Sequence, residues 1–146
     1  MPEAERVQGL YFEDLSEGQS AELTRVATAA VVEAFAELSG DTNPLHLDEA
    51  YARTTSFGQR VAHGMLGAAY ISAVIGSKLP GPGAVFMTQN LRFRRPVHLG
   101  DAVTARVTVK TLYPQRAHAL MTTVCEVNGK VVLDGEALIM VPRRPK

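Results

Sequence analysis

Asp41, Asn43 and His46 stand together in one short segment, Gly40-Asp41-Thr42-Asn43-Pro44-Leu45-His46. An aspartate and a neutral histidine form a workable acid/base pair only if both reach the same proton-carrying atom. A turn restrained by Pro44 can hold the side chains of positions 41 and 46 together without helical geometry. Asn43 either orients one of the pair or anchors the turn. Read alone, such a string is more often a capped turn followed by an ordinary surface or packed histidine, because these residue types are common in turns.

Further along, His63-Gly64 opens an apolar segment. A backbone N–H at a helix start, with glycine allowing close approach, is a donor for a developing oxyanion, so Gly64 is a candidate. The other reading is a plain helix-start glycine with His63 shaping the turn into it. Ser72 falls within the same segment, where a hydroxyl needs a partner and commonly finds it in its own helix backbone. Arg92, Arg94 and Arg95 form a small basic group that fits nucleotide phosphates or a solvated strand face equally well. His98 and His118 have no paired carboxylate in evident spacing and read as surface residues. No phosphate-cradling glycine loop, Gly-x-Ser-x-Gly elbow or metal-ligand cluster stands in the sequence.

The elements that must position these residues follow from periodicity. A lead-in strand is predicted over Ala21 to Ala27, after a Ser16-Glu17-Gly18 turn. Val31, Phe35 and Leu38 predict a helix over 29–39, capped by Thr28 and stopped by Gly40. Asp41 to Pro44 opposes its continuation, so both residues of the pair are expected to leave a turn rather than a helix face. Asp48 to Ala52 reads as one helical turn and Thr54 to Gln59 as a loop. Met65 to Leu79 reads as a helix apolar on nearly all sides, hence buried, with small residues that let strands approach closely.

After Pro80-Gly81-Pro82-Gly83 the period changes from 3.6 to 2. Leu91 and Phe93 alternate with arginines, and Val103, Ala105, Val107 and Val109 alternate with polar residues, as half-buried antiparallel strands do. Segments 116–127 and 130–141 are joined by Asn128-Gly129, a strong hairpin signal. An apolar-faced sheet with one long buried helix predicts an α+β domain over 1–146 in which the sheet wraps the helix. Its uncovered edges and second surface predict a dimer.

The bulk properties exclude several classes. Fifteen basic residues balance fifteen acidic ones, so no overall field draws in nucleic acid or an anionic membrane. The single cysteine makes no internal disulfide and no Cys-x-x-Cys pair, which fits a reducing compartment. The polar, acidic start and the lack of a long apolar run predict a soluble, cytoplasmic protein without a targeting segment.

Three blocks together, Ser39-Gly40-Asp41-Thr42-Asn43-Pro44-Leu45-His46-Leu47-Asp48, Val61-Ala62-His63-Gly64-Met65-Leu66 and Leu91-Arg92-Phe93-Arg94-Arg95-Pro96-Val97 with Gly100-Asp101, resemble the MaoC-like dehydratases. Within these, the likeness is closest to the short (R)-specific 2-enoyl-CoA hydratases, and it spans nearly the whole chain. The resemblance implies a hot-dog fold, a homodimer with active sites at the subunit interface, and coenzyme A thioester substrates. It implies that Asp41 and His46 hold the attacking water, His46 taking its proton and Asp41 delivering one to the α-carbon. It further implies that the Gly64 N–H binds the thioester oxygen and that Ser72 supports the Asp41 environment. Asn43, His63, Arg92 and Arg94 complete the set as substrate-binding candidates. Coenzyme A enters as part of the substrate, and no metal or other cofactor is expected. Gly67-Ala68-Ala69 is a departure that bears on the shape of the acyl pocket.

Two rivals share these features. An acyl-CoA thioesterase of this architecture usually carries its acid on the long helix, and Met65 to Leu79 has no Asp or Glu. A non-catalytic acyl-thioester-binding subunit would not need both Asp41 and His46.

Overall fold

Whether the polar string Asp41 to His46 becomes a site depends on how the chain before and after it is held. A computed structural model describes residues 8–146. The segment 1–7, on which much of the expectation of no targeting signal rests, lies outside the described residues. The elements run in order as a 3-10 turn (Phe12–Asp14), β1 (Ser20–Val26), α1 (Ala29–Ser39), α2 (Pro44–Leu47), α3 (Glu49–Arg53), α4 (Gly64–Ser77), β2 (Val85–Gln89), β3 (Arg92–Phe93), β4 (Ala102–Tyr113), β5 (His118–Val127) and β6 (Lys130–Met140).

α1 begins and ends where its caps dictate. The Thr28 hydroxyl accepts the Val31 N–H at 3.1 Å, and Gly40 closes the helix with φ 82°, a left-handed conformation that costs glycine little. The packed face is rotated from the predicted stripe. Val32 and Ala36 are buried, Val31 and Phe35 sit at the rim, and Leu38 is 85% exposed. At about 100° per residue, positions 31 and 38 share one side of the helix, away from the 32/36 line that faces the core.

The turn after Gly40 is shorter than expected. His46 stands on α2, a single helical turn, because Asn43 caps it through Oδ1 to the Leu45 N–H (3.1 Å) and Pro44 occupies the first helical position, where no N–H is needed. Asp41 remains in the turn. Asp48 then caps α3 by accepting the Tyr51 N–H at 3.1 Å.

All strand pairs are antiparallel, in the order β1-β4-β5-β6-β2 with β3 also lying against β6. Val103, Ala105, Val107 and Val109 of β4 are buried in strict alternation. Asn128 (φ 51°) and Gly129 (φ 76°) form the tight turn between β5 and β6, both in the region a type I′ turn requires. β2 was not delimited by pattern, because a register shift between Phe86 and Thr88 breaks its alternation. β3 is only two residues long, and its Phe93 is 55% exposed rather than half-buried.

The sheet wraps α4, which packs on β4, β1 and β5, the hot-dog arrangement. Leu66, Ile71, Val74 and Ile75 are buried against the sheet. The expectation of a helix covered on nearly all sides is corrected: Met65, Ala69, Ser72 and Gly76 form a stripe at helical spacing that this chain leaves exposed. Small residues do allow close packing, since a Cβ on Gly67 would lie 3.1 Å from Leu133 and 3.5 Å from the Cys125 sulfur. Among the described residues no helix is long and apolar enough to cross a membrane.

One glycine ties the bulged edge to the sheet. The Asn90 carbonyl crosses directly over Gly135 of β6, where an added Cβ would lie 1.9 Å from that oxygen. Asn90 also holds β6 by its own N–H to the Glu136 carbonyl (3.0 Å) and by accepting the Glu136 N–H (3.2 Å). Backbone meeting backbone has no flexible end to move aside, so Gly135→Ala should lower the free energy of unfolding in urea by about 2 kcal/mol or more. An unchanged unfolding midpoint would show that β2 and β6 separate freely here.

Candidate active site

Two stretches of backbone build the site by lying side by side. Segment 60–63 runs along α2, and the sheet holds it from behind through Ala62 N–H to the Val97 carbonyl (2.7 Å) and a bridge between Val61 and His98. His46 is fixed by this neighbour. Its Nδ1 lies 2.7 Å from the Val61 carbonyl, and a carbonyl only accepts, so Nδ1 carries a proton and, in the neutral ring, Nε2 holds the lone pair. The Arg60 Nε–H meanwhile donates to the His46 carbonyl at 2.7 Å, with Glu33 of α1 3.9 Å from the same guanidinium. The imidazole is only 8% exposed.

Asp41 is held by its own turn and remains open to solvent. The Ser39 hydroxyl donates to the Phe35 carbonyl (2.6 Å) and accepts the Asp41 N–H (3.1 Å), while Asp41 Oδ1 accepts the Asn43 N–H (3.2 Å). The Asp41 carboxylate and the rings of His46 and His63 come together with donor atoms within 4.8 Å of one another. Local sequence spacing gave no hint of this cluster, because His63 arrives from another part of the chain. The two rings lie stacked, centroids 3.9 Å apart and planes 29° apart. An ion about 2 Å from a nitrogen of each would lie far out of at least one ring plane, so the arrangement suits proton transfer better than metal ligation.

These groups open on an apolar cavity of about 540 Å³, bounded by α4 on one side and by the 93–97 segment, Val103, Val132 and Leu133 on the other. Gly64 lies at its wall as the first residue of α4. The first N–H groups of a helix have no carbonyl behind them, and no side chain caps α4, so the Gly64 N–H is available to a ligand in the cavity. The Phe93 ring packs close over Gly64, and a Cβ there would sit 2.6 Å from that ring and force it to shift. Tyr70, on the same helix, lines the cavity, and burial pushes its phenol up from the ordinary tyrosine range.

The structure brings some sequence candidates together and leaves others apart. Asp41, His46, His63, Gly64 and Arg94 line the cavity. Asn43 does not, its side chain being spent on capping α2. Arg92 is exposed and outside the lining. Ser72 lies on the exposed stripe of α4, outside the lining, and no hydrogen bond joins it to Asp41 among the described residues. Arg94 is paired through Nε with Asp134 (3.3 Å), and Arg95 of the same basic group also reaches the cavity. Arg60 was missed, and nothing in its local sequence distinguishes it. His98 proves to have a carboxylate after all, with Nδ1 3.8 Å from Asp101.

Residues 13–131 match the family model described as a MaoC like domain. An (R)-specific enoyl-CoA hydratase of Rhodospirillum rubrum is 54% identical over 92% of this chain and 93% of its own length. A 3-hydroxybutyryl-CoA dehydratase of Methylorubrum extorquens is 50% identical over 92% of this chain and 86% of its own. Among solved structures, an unliganded R-hydratase of Pseudomonas aeruginosa superposes with a TM-score of 0.89 at 46% identity, covering 94% of this chain and 89% of that one.

Cys125 backs the helix from the sheet, its thiol 3.4 Å from the Gly67 carbonyl, and burial pushes its pKa up to about 12. The reactive thiolate is therefore scarce at any pH below that value. Ellman's reagent at pH 8 should label the native protein roughly 100-fold more slowly than the urea-unfolded chain. Equal rates would mean that the α4–β5 contact opens readily.

Proposed function

Since the chain belongs to the MaoC-like dehydratase family, we propose that it is an (R)-specific 2-enoyl-CoA hydratase, adding water to trans-2-enoyl-CoA to form (R)-3-hydroxyacyl-CoA and catalysing the reverse dehydration. It is a hydro-lyase. The observation that carries this reading is the meeting of the Asp41 carboxylate with the His46 imidazole, whose Nδ1 is committed to Val61, in the lining of an apolar cavity whose wall includes the free helix start at Gly64.

Water addition to a conjugated thioester needs a base for water, a proton for carbon and a home for enolate charge. His46 Nε2 takes a proton from the water as the water oxygen bonds to C3. The electron pair of the double bond moves toward the thioester oxygen, where the Gly64 N–H receives the charge. Asp41 takes that proton from His46 and passes it to C2, so one water is added and the pair is left as it began. No metal, redox cofactor or covalent nucleophile enters these steps. The acyl chain takes the cavity between α4 and the sheet, and the guanidinium groups of Arg94 and Arg95 in its lining are cationic partners for a phosphate-bearing carrier. A thioesterase is disfavoured because α4 carries no carboxylate.

The active unit in this reading is a homodimer. The exposed stripe of α4 and the apolar edge strand β2, with Val85, Phe86 and Met87 exposed, are surfaces that a second copy would cover. Ser72 lies on that stripe, so its part is played at the interface rather than beside Asp41 of its own chain. A cytoplasmic setting fits the lone buried thiol.

Purified protein given crotonyl-CoA should consume the conjugated enoyl absorbance without releasing thiol, whereas thiol release would make it a thioesterase. Asp41→Asn and His46→Gln should each lower turnover by about 10² or more with the fold intact, and near-normal rates would remove both from the chemistry. In sedimentation the protein should run at twice the 15.8 kDa chain mass. A fully active monomer would refute the dimer.

A further inference from the structure

We propose that His63 is a positioning residue, one imidazole that clamps both arms of the acid/base pair rather than a group that binds substrate. This rests on the hydratase reading. His63 is only 3% exposed and forms the N-cap of α4 without any side-chain capping bond, so its ring is free for another task. That ring lies between Phe35 of α1, centroids 4.9 Å apart, and His46, centroids 3.9 Å apart. Its Nε2 lies 3.0 Å from the Asp41 carbonyl oxygen.

The carbonyl can only accept, so Nε2 carries the proton and Nδ1 is a bare lone pair. Nδ1 is buried and has no partner among the described residues. Each contact does a separate job. The Nε2–H bond pins the backbone at Asp41, whose carboxylate is otherwise open to solvent and held only within its own turn. The stacked face prevents the His46 ring from swinging about its Val61 bond. A single side chain thereby fixes the distance between acid and base, and it does so from the residue next to the oxyanion donor Gly64. The three groups of the reaction are registered to one another through His63, and a displacement of about 1 Å in such a constellation costs on the order of 10²-fold in rate.

Turnover of crotonyl-CoA by the unaltered protein is measured first, and its absence sinks the hydratase reading alone. The clamp is then read without substrate, from ring ¹⁵N shifts of histidine-labelled protein. His63 should be locked as the Nε2–H tautomer, and an Nδ1–H or mixed tautomer overturns the clamp. In kinetics, His63→Phe keeps a stacked ring but loses the donor, while His63→Gln keeps a donor but loses the ring. Each should lower kcat by about 10- to 100-fold with KM changed by less than about threefold. Either change combined with Asp41→Asn should cost less than about threefold beyond Asp41→Asn alone, because positioning has no value once the acid is gone. Unchanged kcat in a folded variant, a loss confined to KM, or losses that multiply in full would each overturn the proposal. Should His63→Phe fail to fold, His63→Gln is judged by the same ratios.

Discussion

The hydrogen bond from His46 Nδ1 to the Val61 carbonyl, 2.7 Å long, is the contact on which the site depends. It selects one tautomer of the neutral ring, the one in which Nε2 carries the free lone pair. Everything around it serves to keep the two backbones side by side. Arg60 ties the carbonyl end of His46 to the same segment, and the Ala62 bond to Val97 anchors that segment to the approach of β4. The imidazole is buried while Asp41 is open to solvent, so the two side chains are held differently although they belong to one cluster.

The fold supports this contact through its one long helix. α4 lies in the curve of the sheet, its inner face buried by Leu66, Ile71, Val74 and Ile75. Removing such side chains from water is worth roughly 1.5–3 kcal/mol each, enough to fix the helix start against the cavity. Gly64 and Gly67 let Phe93 and Leu133 approach α4 closely, and both side chains line the apolar cavity. The stripe that remains exposed on α4 is the counterpart of this packing. A helix apolar all round has more surface than one small sheet can cover.

Much of the fold was legible because local chemistry imposed it. Thr28 and Gly40 bounded α1, Asn128-Gly129 fixed the hairpin, and the alternation along β4 named its inward face. Where two elements compete for the same residues, pattern misled. Leu38 kept the helical period yet faces solvent, and β2 lost its alternation to a bulge. The site divides in the same way. Asp41, His46 and Gly64 were visible as a turn string and a helix start, whereas Asn43 proved to be a cap and Ser72 to point away from the cavity of its own chain.

The sequence by itself determined which groups are present and the local backbone that carries them: a proline-restrained turn with an acid and a base, a glycine at the head of an apolar helix, and strands with one greasy face. These follow from short-range sterics and hydrogen bonding, which neighbouring residues control. Only the tertiary structure decided that segment 60–63 lies against α2, that the His46 Nδ1–H donates a hydrogen bond to the Val61 carbonyl, and that His63 stacks upon it. Those contacts join residues far apart along the chain, and their geometry is set by how the sheet closes on α4, a property of the whole packing that no local pattern encodes.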